Sequence, residues 1–483
     1  MTDQGTPGRL QTVDPAGNPY LSGRFAPVHW ESDAEDLRVE GSLPTDIDGV
    51  FMRNGPNPKF PPLGSYSFPL EGDGMIHAVW IGQGKARYRS RWVRTNGLLA
   101  EERAGRALYG GIMTPAFVDH GLLGPDPDPG WPIKLDAFIN IVRHAGHYLA
   151  LEEGTPPYEV SPELATIGRF DFGGGLPLGM CAHPRIDPVT GDMVVFRYDV
   201  GKPYLTWAVV GADGSVTRPP AEVPGIDDAF MIHDFTITEN YALFVIGPAI
   251  LDPAAMMTGG SVLSWRPDNG TRIALVPRSG DGGVVFAELD AFWVWHFANA
   301  YEDGDRVVAD FPWWSTLSIA AGDRRAANGQ LDPVRGRFSR VSINPANGTA
   351  ALTHVGDGGS EFPRIDDRLT GRRHQYLTVG AVSGQHELTR GEHDRVLRWD
   401  MSTGQSVAWN ADASVGEVVF VPRGGATGEL DGYYMTLARS IADDRSWLYI
   451  WDAADFPCPP MARVAIPAAV PNGLHASWFP RHR

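Results

Sequence analysis

The sequence predicts an all-β chain folded as a β-propeller, and three observations carry that reading. Gly occurs 57 times and Pro 40 times in 483 residues, so turns are far more frequent than a helical protein of this size tolerates. From about residue 40 onward one theme recurs: a short run of β-branched and aromatic residues, a tight turn, and another such run. No segment sustains helical periodicity beyond a few turns. A sandwich of this length would have to divide into several domains. No stretch has the composition of a linker, which favours one propeller domain over residues 1–483. The strand runs share no Trp-Asp or kelch-like signature, so this reading rests on spacing and composition.

Along the chain, residues 1–35 read as an irregular N-terminal segment. Met193-Val194-Val195-Phe196 follows Thr190-Gly191-Asp192, and Tyr241-Ala242-Leu243-Phe244-Val245-Ile246 follows Glu239-Asn240; both read as strands leaving hairpin turns. Asn347-Gly348 and Thr403-Gly404 mark further turns. Leu98–Leu108 is the one short helix expected. Pro115, Pro125, Pro127, Pro129 and Pro132 make residues 110–132 a long loop. Residues 247–260 form an apolar insertion carrying Ile250, Leu251, Met256 and Met257 directly after a strand. Both segments are candidate lids.

A net charge of −17 excludes a nucleic-acid partner, because binding a polyanion needs clustered Lys and Arg. Two cysteines, Cys181 and Cys458, do not make a disulfide scaffold. Met1–Pro19 is polar, with neither a basic nor an apolar targeting region, and apolar runs such as Tyr241–Leu251 fall short of the ~20 residues of a membrane helix. A cytoplasmic chain that does not span a membrane is the expectation.

The familiar signatures of hydrolases, zinc proteases and phosphate loops are absent. What remains is histidine, which occurs 14 times. Most histidines in a strand protein are surface or hydrogen-bonded residues. Four stand inside or beside apolar runs: His183 in Met180-Cys181-Ala182-His183-Pro184-Arg185, His233 in Phe230-Met231-Ile232-His233-Asp234-Phe235, His296 in Trp293-Val294-Trp295-His296-Phe297, and His475 in Gly473-Leu474-His475-Ala476-Ser477-Trp478. A buried neutral imidazole wants a partner for each nitrogen, and a metal on the propeller axis would satisfy all four. Imidazole suits iron, copper, zinc or nickel, so the residues alone do not name the ion, and satisfied core histidines are the competing reading.

These contexts resemble, in order and across nearly the whole chain, the four histidine motifs of the carotenoid cleavage dioxygenase family. Arg53-Asn54-Gly55-Pro56-Asn57-Pro58, Glu71-Gly72-Asp73-Gly74-Met75-Ile76-His77, Asn299-Ala300-Tyr301-Glu302-Asp303-Gly304, Glu361-Phe362-Pro363-Arg364 and Phe420-Val421-Pro422-Arg423 with Asp431-Gly432-Tyr433 resemble it further. The chain looks like a bacterial member. The resemblance implies a seven-bladed β-propeller with a helical and loop cap over a central axis. That axis would bear one iron(II) per chain, ligated by His183, His233, His296 and His475, with O2 as cosubstrate. It also implies an outer ring of Glu153, Glu361 and Glu417. A carboxylate accepting the distal ring N–H fixes an imidazole's tautomer, and three carboxylates offset the charge of Fe2+. Gly72-Asp73-Gly74 is most simply a tight strand connection, and Arg53-Asn54-Gly55-Pro56 a turn with side-chain hydrogen bonds to backbone. His77, His144 and His147 are not expected to be ligands.

The implied activity is O2-dependent cleavage of a conjugated double bond in a carotenoid or apocarotenoid, giving two aldehyde or ketone products. The partner would be a small apolar polyene, with peripheral membrane contact through residues 110–132 and 247–260, and no obligate protein partner. The alternatives are cleavage of a phenylpropanoid or stilbene alkene by the same iron chemistry, retinoid isomerisation, and a non-catalytic binding propeller. Two departures from the family pattern bear on this. Leu135-Asp136-Ala137-Phe138-Ile139-Asn140 stands where many members have Asn-Thr-Ala-Asn-Thr-Asn, which puts Ile139 in place of a threonine near the iron's open position. Ile139, Phe60 and Phe297 are the candidates for substrate or O2 access, with the Trp293, Trp295 and Phe297 cluster either core or tunnel lining. Stilbene-cleaving relatives carry a tyrosine and a lysine that recognise the phenol, and alignment places Ile112 and His147 there, which argues against a phenolic stilbene.

Overall fold

The computed structural model describes residues 10–481 except 117, 119, 124–133, 253, 256–261, 318–335 and 357–358. Strands that alternate or run apolar bury one or both faces, and they collect into seven sheets of four to six strands plus one two-stranded hairpin. The seven sheets are the blades of a β-propeller. Blade 1 holds Ser32–Ala34, Gly49–Arg53, Met75–Gly82 and Lys85–Trp92; blade 2 runs from Asn140 to Arg169, blade 3 from Arg185 to Glu222, blade 4 from Phe235 to Leu289. Blade 5 spans Trp293 to His354, blade 6 Ser360 to Asn410, and blade 7 Ala413 to Ile466.

Two strands far from their partners in sequence close the ring. Ala476–Pro480 pairs with Gly49–Arg53 as the inner strand of blade 1, and Val39–Gly41 pairs with Ala462–Ile466 at the rim of blade 7. Ala476–Pro480 packs beside the inner strands Asn140–His144 and Val419–Pro422 of the adjoining blades. The Arg53-Asn54-Gly55 turn locks this closure. The Asn54 backbone exchanges hydrogen bonds with Leu474 and His475, and its side-chain amide donates to the carbonyls of Ala137 (2.8 Å) and Asn140 (3.0 Å). A Cβ on Gly55 would stand 2.7 Å from the Gly473 Cα, so only glycine allows the two turns to meet.

Ser32–Ala34, inside the segment expected to be irregular, is the edge strand of blade 1; three 3-10 turns precede it. The expected helix is shifted toward the N-terminus, to Asn96–Ala104. Thr95 caps its start, and Gly105 at φ +66° ends it before the predicted Leu108. A second short helix, His120–Leu123, lies within the predicted loop 110–132, of which 117, 119 and 124–132 are outside the described residues. In the insertion 247–260, Ala249–Leu251 pairs with Leu263–Trp265, and Ala249 and Ile250 are buried; 253 and 256–260 are outside the described residues. Among the described residues no helix is long and apolar enough to cross a membrane.

Candidate metal centre and adjoining cavity

The histidines converge because each sits at the axial end of an inner strand. His475 precedes Ala476–Pro480, His183 precedes Arg185–Ile186, His233 precedes Phe235–Ile237, and His296 falls between Trp293–Val294 and Asn299–Asp303. One ligand nitrogen from each lies within 4.8 Å of all the others. The His233 Nε2 is 3.1 Å from that of His183 and 3.3 Å from that of His296.

Carboxylates from the remaining blades hold the far side of three rings. Glu153 Oε2 is 2.6 Å from His233 Nδ1, Glu361 Oε2 is 2.5 Å from His296 Nδ1, and Glu417 Oε1 is 3.1 Å from His475 Nδ1. An Nδ1–H donated to a carboxylate leaves Nε2 bare, so three lone pairs point at one spot. Bare nitrogens this close repel one another unless a cation stands among them, and neutral imidazole donors with three carboxylates behind them suit a divalent iron. Burial and then the neighbouring histidines hold His183 well below the usual histidine range, so its proton is also readily lost. Burial likewise lowers His475, outweighing the pull of Glu417. At His296 burial is overcome by the Glu361 charge, and the balance is raised. Burial pushes Glu417 up, but Arg364 and His475 together bring it down to about 2.

Each glutamate's second oxygen has its own donor, and nothing in the sequence spacing marked those donors. The Tyr198 hydroxyl donates to Glu153 Oε1, and Trp314 Nε1 donates to Glu361 Oε1 at 3.0 Å. Arg364 Nη1 (3.0 Å) and the Ala476 amide (2.7 Å) donate to Glu417 Oε2. Among the described residues no carboxylate holds His183. Phe362 stacks on His296 with ring centroids 5.3 Å apart and stands edge-on to His475 at 5.4 Å; its φ of +53° is a strained value for a bulky side chain. Trp295 stands edge-on to His233 at 5.0 Å. Phe297 instead packs edge-on against Phe311 at 5.5 Å in the core shared by blades 4 and 5. His77, His144 and His147 lie elsewhere, bonded to Tyr88, Gly211 and Glu159.

A cavity opens beside blade 1, lined by Phe60, Tyr66, Glu71, Asp73, Tyr109, Lys134 and Asp136 among others. The Lys134 ammonium, on a side chain 11% exposed, donates to Asp73 and to Glu101 at 2.7 Å and lies 3.4 Å from Asp136 Oδ1. Gly72-Asp73-Gly74 is therefore more than a strand connection, since Asp73 is a counter-charge to Lys134. Burial lifts Glu71 to about 7 against hydrogen bonds from the Ile112 and Ser67 amides. Ile139 links cavity and metal cluster: its carbonyl accepts from the His475 amide at 3.2 Å, five residues after Lys134. The connecting segment is fixed by Glu152, the neighbour of Glu153, whose carboxylate accepts from the amides of Asp136 (2.7 Å) and Ala137 (3.3 Å).

Of the two positions set against a tyrosine and a lysine, Ile112 donates its amide to Glu71 beside the cavity and His147 does not line it. His147 sits in the Asn140–Leu151 hairpin, paired with Glu159 and against Phe170, away from the cavity. Tyr109 and Lys134 are both among the residues that line the cavity.

Residues 25–480 match the family model described as retinal pigment epithelial membrane protein, RPE65. The chain is 32% identical to resveratrol cleavage oxygenase 1 of Aspergillus fumigatus, over 95% of each chain. It is also 32% identical to carotenoid 9,10(9',10')-cleavage dioxygenase of Crocus sativus, over 95% of this chain and 88% of the relative. The crystal structure of Pseudomonas brassicacearum lignostilbene dioxygenase superposes with a TM-score of 0.85 at 29% identity, covering 96% of this chain and 98% of the other. With its seven blades and its four converging histidines, the chain belongs to the carotenoid-oxygenase family that the RPE65 model describes.

Proposed function

We propose that the protein is an iron(II)-dependent oxygenase that cleaves the alkene of a phenolic aryl alkene, a stilbene or phenylpropanoid, in preference to a carotenoid. The carbon–carbon double bond breaks, and each carbon takes one atom of O2 to give two carbonyl products. The observation that carries this reading is the mostly buried Lys134 ammonium lining one cavity with Tyr109, Tyr66 and Phe60. A polyene end offers such a cation nothing, whereas a phenol offers it an oxygen. The relatives named for resveratrol and lignostilbene support the same direction.

His183, His233, His296 and His475 would hold iron(II), which would supply the electrons that activate O2. The chain's own part is to hold and exclude. Glu153, Glu361 and Glu417 keep the imidazoles aimed inward, and Phe362 and Trp295 wall the cluster with apolar rings. Ile139 keeps the approach dry where a threonine would hold water, and Lys134 anchors the phenol so that the alkene lies toward the axis. The test is a product assay with iron-loaded enzyme, isotopically labelled O2, and either 4-hydroxystilbene or an apocarotenal. Labelled 4-hydroxybenzaldehyde is expected; cleavage of the apocarotenal with the stilbene untouched would sink the reading.

A further inference from the structure

Among the described residues that line the cavity, Asp136 is the one carboxylate with an unfinished hydrogen-bond set. It is 5% exposed, and its Oδ2 accepts from the Gly72 amide at 3.2 Å. Its Oδ1 is buried and has no hydrogen-bond partner among the described residues. The neighbouring Lys134 Nζ, 3.4 Å from that oxygen, is not aligned to donate to it and spends two protons on Asp73 and Glu101. A buried orphan acceptor costs about 1–3 kcal/mol, and an ammonium carries three protons. One acceptor and one donor therefore stand side by side as an ion pair, with no hydrogen bond between them among the described residues.

A phenolic hydroxyl fits that pair, because it donates one proton and accepts one. An oxygen at ordinary hydrogen-bond length from both atoms closes a triangle on their 3.4 Å separation. We infer that Asp136 is a specificity-determining residue: its Oδ1 accepts the substrate's phenolic O–H while Lys134 donates its third proton to the same oxygen. The inference rests on the proposed phenolic substrate and adds what selects it. An aryl methyl ether keeps the acceptor but cannot donate, so Asp136 would face a methyl group.

The segment Lys134–Ile139 gives this contact its reach. Asp136 is held by its amide on Glu152 and by its carbonyl, which accepts from the Gly74 amide at 3.0 Å, and Ile139 of the same segment carries the His475 contact. A hydroxyl captured at Asp136 is therefore registered against the metal cluster through a fixed backbone.

The test is equilibrium binding to the iron-loaded enzyme without O2, read by quenching of tryptophan fluorescence, with 4-hydroxystilbene, 4-methoxystilbene and unsubstituted stilbene. Wild type should bind the hydroxy compound at least about tenfold more tightly than the methoxy compound. In Asp136→Asn the Gly72 amide keeps the side-chain oxygen, so an NH2 replaces Oδ1 and the preference should fall below about threefold with iron content unchanged. Equal binding of hydroxy and methoxy compounds by wild type overturns the inference whether or not the variant folds. So does a preference that survives in Asp136→Asn. If wild type cleaves 4-hydroxystilbene in either case, the proposed function stands while Asp136 loses its role. If wild type leaves every stilbene uncut and cleaves an apocarotenal, both fall.

Discussion

The axis and the side cavity both bring buried cationic chemistry together with carboxylates, yet they are finished differently. On the axis each carboxylate oxygen that faces away from an imidazole already has a donor: a phenol at Glu153, an indole at Glu361, a guanidinium and an amide at Glu417. In the cavity, Lys134 has two carboxylates in hand and a third, Asp136, beside it with an oxygen unclaimed. The axis is satisfied from within and needs only a metal. Among the described residues the cavity leaves one buried carboxylate oxygen without a hydrogen bond. A chemistry shared by many substrates belongs in the first kind of site, and the choice among substrates in the second.

The comparison breaks most sharply if the axis tolerates loss of a ligand. His296→Ala should drop iron from about one per chain to a trace and abolish O2 uptake; metal analysis retaining full iron would remove His296 from the cluster. Next in size is Arg364→Met. It leaves Glu417 buried with a single amide and His475 for company, and unfolding in denaturant should show a loss of about 3–5 kcal/mol. A loss under about 1 kcal/mol would mean that solvent reaches Glu417.

The cavity has its own pH signature. Glu71 is raised from 4.5 to about 7, so its contribution to stability is complete below pH 4.5 and lost as pH rises through about 7. That amounts to at most about 3 kcal/mol before solvent screening. Denaturation between about pH 5 and pH 8 should show this decline in wild type and a flatter profile in Glu71→Gln; parallel profiles would assign the slope elsewhere. Glu361→Gln should weaken iron about 10- to 100-fold by loosening His296. Trp314→Phe, which removes only the outer donor to Glu361, should weaken it about fivefold. A Trp314→Phe effect equal to that of Glu361→Gln would show that the indole sets the carboxylate's position outright.

The strands and the four histidines were legible because each leaves a local mark: β-branched runs beside Gly and Asn turns, and imidazoles set in apolar runs. The pairing of glutamates with rings was readable only through resemblance, since Glu153, Glu361 and Glu417 look like any surface acid in a list of residues. Tyr198 and Trp314 had no mark at all. Tyr198 ends an ordinary strand and Trp314 another, and only the closing of the ring turns them toward the axis. The cavity's charges left no mark in the sequence for a related reason. Lys134 follows a proline-rich stretch where alignment drifts, and its value comes from Asp73, some 60 positions earlier in the chain.

The strand that closes the ring also carries the fourth ligand. His475 is held by Asn54 and Ile139, and neither contact exists until Ala476–Pro480 has docked on Gly49–Arg53. During synthesis, then, a chain with six blades made has three of these histidines and lacks the strand that brings the fourth. The full four-histidine set is therefore assembled only by the strand that completes the fold.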